Sequence, residues 1–302
     1  MIKLDSLAPI LFLVMWSSGA VIVKLGLQFS SEWSFLAIRA VISLASISVI
    51  CLIAKYLFNT QFLKPSKEEL KIVLSVGLLL QVLYLAFYIL AIATGMSPGL
   101  VTLVLGIQPL ITPLLCKQKV SRTKLVLLSF GFTGLSIAIA GAQSLNNVEW
   151  IGILFSVLAL LSLTVGTVKQ ACVTMNSFQA MWYQCVLSSI VFFALSVSTE
   201  GYIDWQPEFV FSVLWMSLVV SVGALLLLMY MVKRDSSDKV SILFYAIPML
   251  TYLFDHLLFG TTLTPLTMLG MAIVAICIVL YRRQPRLTRG RDKLSVASQN
   301  DH

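Results

Sequence analysis

Ten runs of mostly apolar residues follow one another with only short polar links between them, and few folds can accommodate that. They cover 7–27, 33–56, 70–94, 98–116, 124–142, 150–172, 177–199, 209–232, 239–259 and 262–281. Each is close to the ~20 residues that carry a helix across the hydrocarbon core of a bilayer. Hydrocarbon offers backbone polar groups no partner, so a spanning segment of this length closes its own hydrogen bonds as a helix. Hydrophobic residues make up 59% of the chain and charged ones 11%, against about 25% charged in soluble domains. These runs predict an all-α integral membrane protein with ten transmembrane helices.

Charge placement orients the helices. Of the 21 Lys and Arg, all but Lys24 and Arg39 fall on one side if the N-terminus is inside. They sit at Lys3, at every second link or helix end, and in the tail from Arg282 to Lys293. The intervening links hold no cation but do hold Glu32, Glu149, Glu200, Asp204 and Glu208. Cationic loops stay cytoplasmic, so both termini are expected there. The start, Met1 to Asp5, has no strongly basic segment ahead of its apolar run, so that run is expected to remain as a spanning helix. The cysteines are odd in number and show no metal-ligand spacing, and neither a metal nor a cofactor is expected.

Ten spans divide into five and five. The expected units are residues 1–142, residues 143–284 and a basic disordered tail over 285–302. An odd number of spans per unit inserts the two copies in opposite senses, as in transporters built from inverted repeats. Val23-Lys24-Leu25 matches Val168-Lys169-Gln170 at an offset of 145, and Arg39 falls opposite Gln184 at the same offset. At an offset of 139, Pro109 falls opposite Pro248. The two prolines interrupt otherwise apolar runs, in Gly106-Ile107-Gln108-Pro109 and Tyr245-Ala246-Ile247-Pro248. A proline inside a helix frees the carbonyl one turn earlier, and that carbonyl needs a neighbour or a cavity. Paired interruptions in two halves point to a binding site; a packing kink is the plainer reading of each.

The chain resembles the EamA-like family of the drug/metabolite transporter superfamily along nearly its whole length. Trp16-Ser17-Ser18-Gly19 followed by Lys24, Phe35-Leu-Ala-Ile-Arg39-Ala40, Gly106-Ile-Gln-Pro109-Leu110, Tyr245-Ala-Ile-Pro248 and Leu263-Thr-Pro-Leu-Thr-Met-Leu-Gly270 carry that resemblance. Where the family has Gly-Glu before its last helix, this chain has Gly260-Thr261. The resemblance implies a secondary transporter in a bacterial inner membrane, moving a small metabolite, an amino acid or a related compound, outward through a central cavity by alternating access. The alternatives are a non-transporting receptor or assembly protein, and an importer of a nucleotide-like metabolite such as S-adenosylmethionine.

The candidate substrate-binding residues are Trp16, Tyr84, Tyr88, Gln108, Pro109, Tyr245 and Pro248. Gln81, Tyr84 and Tyr88, spaced by three and four, share one helix face, and the two phenols lie too deep for an interfacial belt. They can contact a substrate or hydrogen-bond neighbouring helices. A weaker polar face in the second half comprises Ser217 and Ser221. Lys24, Arg39, Asp255 and His256 are the ionisable residues within the spans, and a charge inside a membrane is a functional candidate. Gating, with Asp255 paired to Arg39 or Lys24, and proton coupling through Asp255 and His256 stand beside plain snorkelling to the headgroups. The expected partners are a small-molecule substrate and the lipid bilayer, with proton coupling and a homodimer as further options. The basic tail reads as lipid-facing rather than nucleic-acid-binding. With two histidines in the chain and no metalloprotease, nucleophile-elbow or phosphate-loop motif, an enzyme is not expected.

Overall fold

In the computed structural model the described residues are 4–96, 98–115, 121–142, 150–234, 240–259 and 264–283, and they are helical nearly throughout. The first run forms α1 (Leu4–Gly26) and the second α2 (Glu32–Leu57), capped by the Ser31 side chain. The third starts as α3 (Lys67–Gly77), where Ser66 and Glu69 cap each other reciprocally. It widens into a π segment, Leu78–Leu83, and continues as α4 (Tyr84–Ala93). The fourth run is broken at Gly106-Ile107 into α5 (Pro98–Leu105) and α6 (Gln108–Leu115), and α7 (Arg122–Ala142) follows.

The second half has the same succession. After α8 (Trp150–Gln170) and α9 (Ser177–Ser198) comes α10 (Pro207–Leu214), with Pro207 in the first turn, where no N–H is needed. A second π segment, Trp215–Ala224, leads into α11 (Leu225–Arg234). A 3₁₀ turn, Ile242–Tyr245, opens α12 (Ala246–Phe259), and α13 (Pro265–Arg283) is the last described helix. An offset of 139 carries Leu78–Leu83 into the second π segment and Pro109, in the first turn of α6, onto Pro248, in the first turn of α12.

Six described helices are long and apolar enough to cross a membrane: Leu7–Gly26, Glu32–Leu57, Lys67–Ala93, Trp150–Gln170, Ser177–Ser198 and Pro207–Arg234. The other four expected runs are also helical, in a different form. The fourth is two eight-residue helices, and the ninth is a 3₁₀ turn plus the 14 residues of α12. The remaining two are α7, which begins on Arg122, and the 19-residue α13. The tail expected over 285–302 lies outside the described residues.

Helix pairings follow a repeating scheme. α2 packs along α9, and α7 along α13. α1 runs against α10, the second π segment and α11, as α8 runs against α3, the first π segment and α4. α1 also packs on α12, as α8 packs on α5 and α6. The outside of the bundle is apolar: Ile10, Val14, Val49, Leu52, Phe193 and Val197 are all exposed. Without a hydrophobic drive between helices in lipid, close backbone approach at small residues supplies the packing. Gly77 lies so near α9 that an added Cβ would stand 3.1 Å from the Gln184 Cα. On α13, a Cβ at Gly270 would run into the backbone of Gly134 and Ala138 on α7.

The last contact is testable. Gly270→Ala puts a methyl group against backbone that cannot swing aside, so it should destabilise the protein by about 1–3 kcal/mol, the usual scale of overpacking. A lowered thermal-unfolding midpoint in detergent is the expected outcome; an unchanged midpoint would mean that α7 and α13 pack less closely than described.

Candidate substrate cavity

Mid-bundle, the irregular segments of both halves meet around a cavity. The space open to the centres of water-sized molecules is about 50 Å³, enough for several waters at about 10–15 Å³ each. One wall comes from α1 and α2, with Trp16, Gly19 and Arg39, and continues along the first π segment and α4, with Gln81, Tyr84 and Tyr88. The facing wall is Met216, Val220 and Ser221 of the second π segment, with Phe244 and Ile247. Thr102 and Leu105 of α5 complete it. Leu105 and Phe244, each four residues before a proline, Pro109 or Pro248, are cavity-wall residues on the N-terminal side of the helix that the proline opens.

Aromatic rings form a connected group there. Trp16 stacks on Tyr84 at 6.2 Å between ring centroids and meets Phe244 edge-on at 5.7 Å. Phe12 packs on both Trp16 and Phe244, and Tyr84 is followed by Tyr88 at 5.9 Å. Gly19 makes room for the second π segment, since a Cβ there would lie 3.0 Å from Val220 Cγ2. Ser18 holds the same segment by accepting from the Trp215 indole N–H at 3.0 Å. The small residues after Trp16 thus serve close approach, while Trp16 itself borders the cavity.

Arg39 is the charged residue of this wall, and it does not snorkel. It is 5% exposed, two helical turns inside the start of α2, and its Nε donates to Ser221 Oγ at 2.7 Å. Ser217 Oγ donates to the Arg39 carbonyl at 3.1 Å, and Ser43 Oγ donates to the same carbonyl at 2.7 Å. The Ser221 and Ser217 bonds tie α2 to the second π segment. Arg39, Gln81 and Ser221 also border a smaller neighbouring void of about 10 Å³, closed off by Ser188 and Phe192 of α9.

Four of the expected site residues therefore come together: Trp16, Tyr84, Tyr88 and Arg39. Others point elsewhere. The break at Gly106-Ile107 turns Gln108 towards α8, where its amide nitrogen donates to Thr167 Oγ1 at 3.5 Å. Pro109 and Pro248 are buried in the first turns that follow the two irregular segments and shape the wall without bordering the cavity. Tyr245 is fully buried against α7, its hydroxyl donating to the Leu128 carbonyl at 2.9 Å. A 3₁₀ turn advances about 120° per residue rather than 100°, and the residue it presents to the cavity is Phe244. Lys24 is exposed in the last turn of α1, and His256 is half-buried in the last turn of α12. The side chain of Asp255 lies outside the described residues, as does its expected pairing with Arg39 or Lys24.

The described residues are helical nearly throughout, six of their helices are long and apolar enough to cross a membrane, and they surround a cavity of aromatic and polar side chains, as in a multi-pass membrane protein. Residues 150–283 match the sequence model of the EamA-like transporter family, one of the drug/metabolite transporter superfamily. The family's members are transporters of small molecules rather than enzymes. A solved structure titled only "Crystal structure of protein" superposes with a TM-score of 0.75 over 92% of this chain and 98% of its own, at 16% sequence identity. That likeness concerns the fold alone. No curated protein matches the sequence.

The neighbouring positions 244 and 245 separate wall from scaffold. Tyr245→Phe removes one buried hydrogen bond and should lower stability by about 1 kcal/mol while leaving ligand binding unchanged. Phe244→Ala should weaken binding of any cavity ligand at least severalfold. Measuring both thermal midpoints and ligand affinities decides it; equal effects of the two variants on affinity would displace Phe244 from the wall.

Proposed function

We propose that the chain is a secondary transporter that moves a small metabolite, an amino acid or a related compound, out of the cell through this cavity by alternating access. On this reading ten spans form two five-helix halves, 1–142 and 143–284, inserted in opposite senses into the inner membrane with both termini cytoplasmic. The observation that carries it is the composition of the cavity wall. Trp16, Arg39, Tyr84 and Tyr88 reach the cavity from regular helices, and Gln81, Ser221 and Phe244 from the irregular segments Leu78–Leu83, Trp215–Ala224 and Ile242–Tyr245. Polar and aromatic side chains of both halves thus converge there. Interrupted helices in corresponding halves, meeting at mid-membrane, are the design by which two rigid parts rock about a shared site. The recurrence of helix pairings between the halves supports the same reading.

Uptake into proteoliposomes is the test, using labelled amino acids, their deaminated analogues, nucleosides and S-adenosylmethionine, with and without a pH gradient. At least one class should accumulate above protein-free vesicles. Trp16→Ala and Tyr84→Ala, which remove the stacked pair from the wall, should each cut that flux tenfold or more with membrane insertion unchanged. Intact vesicles that pass no class of solute would instead favour a receptor or assembly role.

A further inference from the structure

A guanidinium in a membrane bundle is costly unless something balances its charge. The Arg39 side chain makes one hydrogen bond among the described residues, from Nε to the neutral Ser221 hydroxyl. Arg39 has no ion pair with any carboxylate among the described residues. Its two Nη groups, four N–H donors in a planar fork, are left to the cavities it borders. Beside it, Gln81 is buried with an amide nitrogen that has no hydrogen-bond partner among the described residues, and Gln81 borders the same two voids. Two sets of donors thus converge where no protein acceptor is described. Next to them stand the Tyr84 and Tyr88 hydroxyls, and beyond these the flat faces of Trp16 and Phe244.

We infer that Arg39 and Gln81 form an anion-recognition site and that the substrate is a singly charged carboxylate carrying a flat apolar body, its carboxylate on the Arg39 fork and its body against the cavity-facing side of the cluster formed by Trp16, Tyr84 and Phe244. This rests on the transport reading above and narrows its substrate class. Charge balance selects the anion. One guanidinium neutralises one carboxylate in a bidentate pair, whereas a phosphate monoester carries about −1.5 to −2 at neutral pH and would keep part of its charge uncompensated. The same balance disfavours a zwitterion. No acidic residue borders the cavity among those described, so an ammonium would lose its water with no counter-charge and would lie near Arg39. The bound substrate, rather than a carboxylate among the described residues, completes the pairing of the buried cation.

The purified full-length protein in detergent, with labelled 3-phenylpropionate as the probe, tests this directly. Competition by 3-phenylpropionamide, phenylalanine and phenyl phosphate asks in turn for the charge, for tolerance of an ammonium, and for carboxylate over phosphate. Each competitor should bind about tenfold or more weakly than the probe, the scale of a lost hydrogen bond to a charged group. Arg39→Gln should abolish the preference for acid over amide, and Arg39→Lys should keep part of it. If Arg39→Gln fails to fold, the ligand comparison on the unaltered protein still decides the matter. Equal binding of acid and amide, preference for phenylalanine or phenyl phosphate, an undiminished preference in folded Arg39→Gln, or no binding of any probe would each overturn the site. Flux separates the two readings. Arg39-dependent binding without transport in proteoliposomes removes the transport reading and leaves the site standing; transport without a carboxylate preference does the reverse.

Discussion

A backbone N–H or C=O left open to hydrocarbon costs several kcal/mol, and the layout of this protein follows from that penalty. Regular helix is the safe conformation wherever lipid can reach, and the outward faces of α1, α2 and α9 are regular and apolar. Departures are tolerable only where protein or a wet cavity covers them. The two π segments, the break between α5 and α6, and the 3₁₀ turn before α12 all contribute to, or adjoin, one cavity wall. The polar interior is therefore the one place where a chain in this solvent can hold carbonyls and donors outside a helical ladder.

The same penalty makes Arg39 consequential. It holds the second π segment through Ser221 and through the Ser217 bond to its own carbonyl, so the buried cation also acts as a joint between α2 and that segment. Close approach at Gly19 and Gly77 then brings α1 and α3 in around that joint. Bulkier residues at either position would hold the walls apart.

Much of this was legible in the sequence, because hydropathy and helical period report directly on which face meets lipid. The helices fall where the apolar runs predict. Tyr84 and Tyr88 were recognisable as phenols too deep for the interface, Gln81 shares their helix face, and Trp16 stood out in the first apolar run. What escaped were features that change helical phase without a local marker. A π segment inserts extra winding into an apolar stretch that still looks uniform, so Leu78–Leu83 and Trp215–Ala224 had no signature. The 3₁₀ turn exchanged Phe244 for Tyr245 at the wall. The loose turn at Gly106-Ile107 sent Gln108 to Thr167 instead of the cavity. Arg39 was visible as an intramembrane charge, yet seven residues of helix leave both snorkelling and burial within its reach. Only its packing against Ser221 decides between them.

The contact between α2 and α9 is fastened at both ends. Near the start of α2, Ser34 Oγ lies 3.0 Å from Ser196 Oγ, and the adjoining loops are stitched by Ser31 N–H to Tyr202 C=O at 3.1 Å and Asp204 N–H to Phe29 C=O at 2.7 Å. Fourteen residues further along α2, the Trp182 indole donates to Ser48 Oγ at 3.0 Å. Two antiparallel helices riveted at top and bottom behave as a beam. Arg39 is mounted between the rivets, so the charged group of the cavity wall is held in register with that beam and is presented from a fixed post rather than from a loop or a helix end.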